Sequence, residues 1–441
     1  MNMTSSRERA ARWTRRAGLL ASAGAALVGI LAACSTSDLL SVDAPSRIPA
    51  GPLESAANAQ LLLNGAQADF ECAFGGYAVL GGLIGEELEN YTQTADLFIY
   101  DQRSFQSKDA RYATSSCGGA GAYTPLQASR VSANNLHRIV AAAADADVPN
   151  RSLILASASA YEAYSQLLLS EGFCSIVFSV YDAAGQIQWG TEMTRAQALA
   201  IAEATFTRAI TEAQAAGTAG ANVLNLAYVG RARTRLDQGN LTGARADAVL
   251  VPAGFTFLAT SSAGDPSDRR TNRQFGFSGG TNSLAGVPAA YRAFNDPRVP
   301  VVDLKRNSVY GLPMFLQGKF TSQASSTRIA SYDEAQLIIA EADLTANAGN
   351  ATTIINTYRA RGNQAPLVAP TAADLKAALI DQRRRELYLE SQHLGDLIRY
   401  QITPTPASGT AFYGGGQYGS SLCLPLPDVE KQNNPLLNGS K

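Results

Sequence analysis

The chain has 441 residues with a formal net charge of −1, and 17% of them are charged against 46% hydrophobic. Charge is sparser than the ~25% usual for soluble domains. Two histidines and five cysteines without CxxC spacing disfavour a redox motif, a structural zinc site or a His/Cys metal cluster.

The first residues are basic: Arg7, Arg9, Arg12, Arg15 and Arg16 stand against the single acid Glu8. An apolar stretch from Ala17 to Leu31 comes next, and it ends in Leu31-Ala32-Ala33-Cys34. Basic residues, a short apolar run and small residues before a cut are the pattern of a signal peptide. The run is also shorter than the ~20 residues needed to span a hydrocarbon core. Its end resembles the lipobox of bacterial lipoproteins, which implies that 1–33 are removed and Cys34 becomes the lipidated first residue. Five arginines and one glutamate leave with the signal, taking the net charge from −1 to −5. No basic patch large enough for nucleic acid then remains. Residues 34–52 are small, polar and proline-bearing, the composition of a tether.

Helical patterns dominate the chain from the tether to about residue 250. Ala57 to Phe70 is a first segment, and Pro125 to Ala146 a second, with Leu126, Asn134 and Ile139 in an Ala-rich frame. From Ser152 to Glu171, Ile154, Ala158, Tyr161, Ser165 and Leu168 step by four and three along one helical face. Thr194 caps a helix with inner face Leu199, Ala202, Phe206, Ala209 and Ala213, ending near Gly217. Leu224, Tyr228, Ala232 and Leu236 form its partner, closed by Gly239, and a shorter segment starts near Leu241. Alternating helices with alanines at their crossings fit tetratricopeptide-like hairpins. Without the full consensus or a regular period of 34, a generic α-bundle fits the periodicity as well.

From Val251 to Ala330, Gly, Ser, Asn, Pro and aromatics interleave, which reads as short strands and turns in an irregular lobe. Helices return at Tyr332–Asn347, Ala351–Arg361 and Ala372–Tyr400. The last residues, with Gly414-Gly415-Gly416 and Pro425-Leu426-Pro427, read as a turn-rich cap.

The C-terminal third carries a distinctive set of motifs. They are Ser331-Tyr332-Asp333-Glu334-Ala335 leading to Ala340-Glu341-Ala342, Ile355-Asn356-Thr357-Tyr358-Arg359-Ala360-Arg361, and Asp381-Gln382-Arg383-Arg384-Arg385-Glu386-Leu387-Tyr388-Leu389-Glu390. Gly395-Asp396-Leu397 with Arg399, and Leu424-Pro425-Leu426-Pro427 with Glu430 and Asn434-Pro435, complete the set. With Asp296-Pro297-Arg298 and Lys319-Phe320, these resemble the SusD/RagB family of outer-membrane nutrient-uptake lipoproteins. Glu390-Ser391-Gln392-His393 departs from the family's Glu-Gly-x-Arg, and four further cysteines are not a general family feature. The resemblance implies a mainly α fold of tetratricopeptide-like hairpins as scaffold, with an irregular loop-rich lobe containing short strands. It also implies one domain over 53–441: hairpins at 53–250, the lobe at 251–330, helices at 331–400 and a cap at 401–441. The function implied is binding rather than catalysis, without a cofactor. A glycan, peptide or similar nutrient is captured at the cell surface, and a TonB-dependent outer-membrane barrel transporter takes it up. A solute-binding lipoprotein of an inner-membrane importer and a helical protein-binding scaffold are the alternatives.

Ile380, Leu387 and Leu394 sit seven apart and mark a buried face, flanked by Arg383, Arg384, Arg385, Glu386 and Glu390. Charges so close are expected to tie helices together, as are Asp396 and Arg399. His137 and His393 lack any accompanying nucleophile motif. Glu86, Glu87 and Glu89 read as a solvated turn. Aromatics in Gly-rich or polar stretches are the candidates for ligand contact: Tyr77, Tyr91, Tyr100, Trp189, Tyr310 and Tyr413, with Tyr181 and Tyr418 beside them. Their flat faces suit sugar rings or peptide side chains. The remaining cysteines allow three pairings. Cys72–Cys117 is expected because it brackets one loop-rich stretch, and Cys174–Cys423 because it pins the C-terminal segment to a helix edge.

Overall fold

Thr194 starts a helix through a reciprocal cap: its hydroxyl accepts from Gln197 N, and the Gln197 side chain accepts from Thr194 N at 2.9 Å. Thr371 makes the same reciprocal cap with Asp374, and the side-chain oxygens of Ser331, Asn240 and Asn347 each accept from a backbone N–H at later helix starts. The computed structural model describes residues 53–438 except 94, 115, 116, 118, 120, 265–268 and 281. The expected signal peptide, Cys34 and the tether lie outside the described residues.

The principal helices are α1 (Ala59–Ile84), α2 (Tyr123–Ala141), α3 (Arg151–Gly172), α4 (Arg195–Ala215) and α5 (Ala221–Asp237). After them come α6 (Leu241–Ala248), α7 (Tyr332–Ala346), α8 (Ala348–Arg361), α9 (Ala372–Glu386) and α10 (His393–Tyr400). From α1 to α9 each helix packs on the next in the chain. Alternate helices also touch: α1 with α3, α3 with α5, α5 with α7 and α7 with α9. Neighbour and second-neighbour contact along the chain is how stacked hairpins share one core, and it distinguishes them from a generic bundle. α3 illustrates the consequence. The sequence shows one apolar face, but α3 is buried on all sides from Ile154 to Gly172 because α1, α2, α4, α5 and α10 all pack on it. Close crossings are made by small residues. At Gly230 of α5 a β-carbon would collide with the Phe206 ring of α4, so only glycine lets these helices meet there.

The region between α6 and α7 forms short antiparallel pairs, chiefly Val301–Asn307 with Pro313–Gln317 and Thr256–Ala259 with Thr327–Ser331. Glu89–Asn90, just after α1, pairs with Ala285–Gly286 and joins this lobe to the scaffold. The disulfides Cys72–Cys117 and Cys174–Cys423 are both formed, with Cα–Cα separations of 5.7 and 5.1 Å. The second joins the end of α3 to the C-terminal cap, where Cys174 N also donates to Leu424 O.

Three expectations are corrected. The first helix runs on to Ile84, because its glycines are close-packing positions rather than stops. Gly76, for example, faces Gly121 O. The second helix, α2, spans Tyr123–Ala141 and not Pro125–Ala146, and its apolar buried face is Leu126, Ala133, Leu136 and Val140. The segment Ala372–Tyr400 is two helices, α9 and α10, because Leu389 and Ser391 take left-handed backbone (φ 56° and 67°) between them. Distant groups satisfy the backbone freed at this break. Glu87 accepts from Leu389 N at 2.8 Å, and Arg233 and Lys319 donate to Ser391 O and Tyr388 O.

Candidate functional site

The six aromatic candidates separate by burial. Tyr77 lies inside α1, Tyr91 just beyond the short strand Glu89–Asn90 and Tyr100 in the short helix Ala95–Asp101, and all three are fully buried. The expectation that they touch ligand is therefore corrected. Glycine-rich surroundings put Tyr77 and Tyr91 in close-packed core: Gly172 abuts the Tyr77 ring and Gly286 the Tyr91 ring. Tyr310 and Tyr413 are half-buried, and Trp189 is 38% exposed.

Tyr310 and Tyr413 come together, with ring centroids 5.0 Å apart. Tyr310 sits in the turn between the lobe's long strands, and its hydroxyl donates to Thr92 O at 2.7 Å. The Tyr413 hydroxyl lies among Asn90 O (2.8 Å), Asn90 N (3.0 Å) and the Asp101 carboxylate. Asp101 also accepts from Asn90 N at 2.7 Å. Burial pushes Asp101 up to about 6, opposed by the Tyr413 and Asn90 hydrogen bonds. Phe412 stacks beside Tyr413 at 4.3 Å and meets the edge of Phe98 at 4.8 Å, and Tyr418 closes the cluster behind Phe412. Phe98 from a short helix, Tyr310 from a turn and Tyr413 from the C-terminal cap thus present partly open rings, the two tyrosines held through their hydroxyls. Such a surface offers flat apolar faces whose orientation is set before a ligand arrives.

Tyr91 ties the segment after α1 to the strand Pro313–Gln317. Its hydroxyl accepts from Phe315 N at 2.9 Å and lies 3.1 Å from Glu89 Oε1. The acidic cluster here is not a solvated turn. Glu87 is buried and held at about 8 by burial, against the Leu389 hydrogen bond. Glu89 is pushed to about 7 by burial against the pull of Arg292, and Glu86 to about 6. The α1 terminus packs against the α9–α10 break, which removes these carboxylates from water.

Phe98, Phe412, Asp101 and Thr92 carry no strong local signal in the sequence. The one cue is helical phase: Phe98 and Tyr100 are two apart in one helix, so burying one turns the other outward.

The other charged motifs are structural. Arg383 binds Asp396 at 2.7 Å, and Arg385 holds Asp296 and Asp381. Glu386 meets Arg298, Arg328 and Arg361, and Glu390 meets Lys319 and Arg328. Arg399 joins Asp396, Glu341 and Asp237. The partners are mostly distant in sequence, so this network fastens the irregular lobe and α10 onto the hairpins. His137 bonds Glu212 at 2.7 Å, and Ser159 donates to the same carboxylate, which places the acid between Ser and His. His393 is buried without a hydrogen bond to either ring nitrogen, and burial drives it down to about 3. Among the described residues, no group of three or more His, Cys, Asp or Glu is placed to hold a metal ion, and no helix is long and apolar enough to cross a membrane.

Residues 306–433 match the model of the SusD family. No curated protein sequence is significantly similar to the chain. Among solved structures, a SusD superfamily protein from Bacteroides thetaiotaomicron has a TM-score of 0.67 at 13% identity, covering 87% of this chain and 98% of its own. Surface glycan-binding protein A from Bacteroides thetaiotaomicron, in complex with laminarihexaose, has a TM-score of 0.65 at 13% identity, with coverages of 86% and 98%. Its counterpart from Bacteroides uniformis has a TM-score of 0.63 at 16% identity, with coverages of 86% and 98%. At these identities the structural likeness speaks for the fold. The family match falls on the segment holding Tyr310, Tyr413 and most of the ion-pair network, so this part of the chain is similar to the SusD family.

Proposed function

We propose that this protein is a cell-surface lipoprotein that captures a glycan on the Tyr310–Tyr413 platform, leaves it chemically unchanged, and delivers it to a TonB-dependent outer-membrane barrel transporter. The observation that carries the reading is the pair of half-open tyrosine rings, whose hydroxyls donate to the backbone carbonyls of Thr92 and Asn90. Sugar C–H faces stack on such rings, and a fixed orientation lowers the entropy lost on binding. The match to the SusD family model supports it, as does the laminarihexaose bound by one protein of this fold. The scaffold would face the barrel, and lipid on Cys34 would hold the chain at the outer membrane.

The test is calorimetric titration of the purified chain with a panel of oligosaccharides, laminarihexaose included, with the sugar recovered and checked by mass. Binding with intact sugar, and co-purification with a barrel transporter, are expected. Turnover of the sugar, abolished by changing one carboxylate, would overturn the reading. Fatty-acid labelling should mark the wild type and not Cys34→Ser; an unlabelled wild type would refute the anchor.

A further inference from the structure

Trp189 belongs to a different feature from the tyrosine platform. Val180–Tyr181 pairs with Ile187–Gln188, and Asp182 sets the turn by accepting from Ala184 N (2.9 Å) and Gln186 N (2.8 Å). This hairpin packs on α2 and leaves a cavity of about 190 Å³. Val131, Val177, Val180 and Ile187 make its walls mainly apolar, and the rings of Tyr181 and Trp189 complete them.

Two charged side chains interrupt the apolar lining, Arg130 and Glu430. Arg130 is 2% exposed. Its Nε donates to Gln127 at 2.8 Å and its Nη2 to Ser179 O at 2.6 Å, and the Phe178 ring lies 5.1 Å away. Its Nη1 has no acceptor. A buried donor without an acceptor is unfavourable, and arginine does not relieve it by losing its proton. Glu430 accepts from the Tyr123 hydroxyl at 3.0 Å and retains further lone pairs. It makes no ion pair with Arg130, although both line the same cavity.

The cavity therefore offers an unused cationic donor and an anionic acceptor within apolar walls. A free carboxylate would suit Arg130 but be repelled by Glu430, and an ammonium group would meet the reverse. A neutral secondary amide carries an acceptor on one side and a donor on the other, so it suits a cation and an anion on opposite walls. An attached methyl group would suit the valine walls, and a flat ring beyond the amide would meet Trp189. We propose that this cavity is a second glycan subsite, which takes the acetamido group of an N-acetylhexosamine residue. The carbonyl oxygen faces the Arg130 guanidinium, the N–H donates to Glu430, and the sugar ring lies on Trp189. No cavity-lining residue belongs to the tyrosine platform, so either site can fail without the other.

The test is titration of the purified chain with N-acetylglucosamine, glucose and glucuronate, followed by ligand-observed NMR. N-acetylglucosamine should bind roughly tenfold more tightly than glucose, the scale of one buried hydrogen-bonded group. Glucuronate should bind no better than glucose. Trp189→Ala changes an exposed residue, leaves the fold intact and should weaken N-acetylglucosamine about tenfold. Glu430→Gln still presents an acceptor and should keep most of the affinity, whereas Arg130→Met should lose it. Equal binding of N-acetylglucosamine and glucose, tighter binding of glucuronate, or an unchanged Trp189→Ala protein would each overturn the proposal. Loss of N-acetylglucosamine binding in Tyr310→Ala would also overturn it, by moving the site to the platform.

Discussion

Tyr310 and Tyr413 stand with ring centroids 5.0 Å apart, and their hydroxyls are fixed by the backbone of Thr92 and Asn90, both in the segment after α1. One side chain comes from a turn of the irregular lobe and the other from the C-terminal cap. Tyr310→Ala or Tyr413→Ala should weaken glycan binding by on the order of 1 kcal/mol each, with helical circular dichroism unchanged. Tyr413→Phe should cost less ligand affinity than Tyr413→Ala, since the ring face remains. Unaltered affinity in both alanine variants would remove the platform from the site.

Tyr77 separates core from site. Its ring is fully buried against Gly172, and its hydroxyl has no hydrogen-bond partner. Tyr77→Ala should destabilise the fold by roughly 3–5 kcal/mol through the cavity it leaves. Tyr77→Phe should be neutral or stabilising, because it removes an unsatisfied buried hydroxyl. Chemical denaturation measures both, and a strongly destabilised Phe variant would reveal a role for the hydroxyl.

Glu87, Glu89 and Glu334 are held above the usual carboxylate range, to about 8, 7 and 7, chiefly by burial. The folded chain keeps these protons at pH values where the unfolded chain has lost them. Their contribution is thus complete below about 4.5 and declines as pH rises toward 8. Asp296 and Asp396, held low mainly by arginine partners against burial, act oppositely and lose their contribution in acid. Stability should therefore be greater near pH 5 than near pH 8. Glu87→Gln keeps an acceptor for Leu389 N and should raise the melting temperature at pH 8, by a free energy on the order of 2–4 kcal/mol, with little change at pH 5. Equal gains at both pH values would argue against a buried protonated Glu87.

Arg233 and Glu171 form a two-pronged ion pair, both contacts at 2.6 Å, in the core between α5 and α3. Arg233 also donates to Ser391 O at the α9–α10 break. Arg233→Met should cost about 3–5 kcal/mol by leaving a buried carboxylate alone, and adding Glu171→Met should recover much of it. A double variant as unstable as the single would show that the Ser391 contact, rather than the orphaned charge, sets the loss.

Local chemistry is enough to place much of the scaffold. The Thr194 cap, the inner face from Leu199 to Ala213 and the close of α5 before Gly239 depend on residues within a few positions of one another, and such short-range signals are present in the chain itself. The four cysteines likewise pair as their positions along the chain suggest. Burial of the tyrosines is a different matter. Tyr77 and Tyr310 both sit near glycine, yet one glycine lets a helix approach the ring while the other allows a turn, and only the packed neighbours distinguish the two. The break after Glu386 is hidden for a similar reason, because the heptad spacing of Ile380, Leu387 and Leu394 continues through it. Its left-handed residues are held by Glu87, Arg233 and Lys319, side chains from three distant segments. The meeting of Phe98 with Phe412 and of Tyr310 with Tyr413 is of the same kind: it depends on a short helix, a turn and the C-terminal cap brought together by a core assembled elsewhere, a long-range relation that no local pattern encodes.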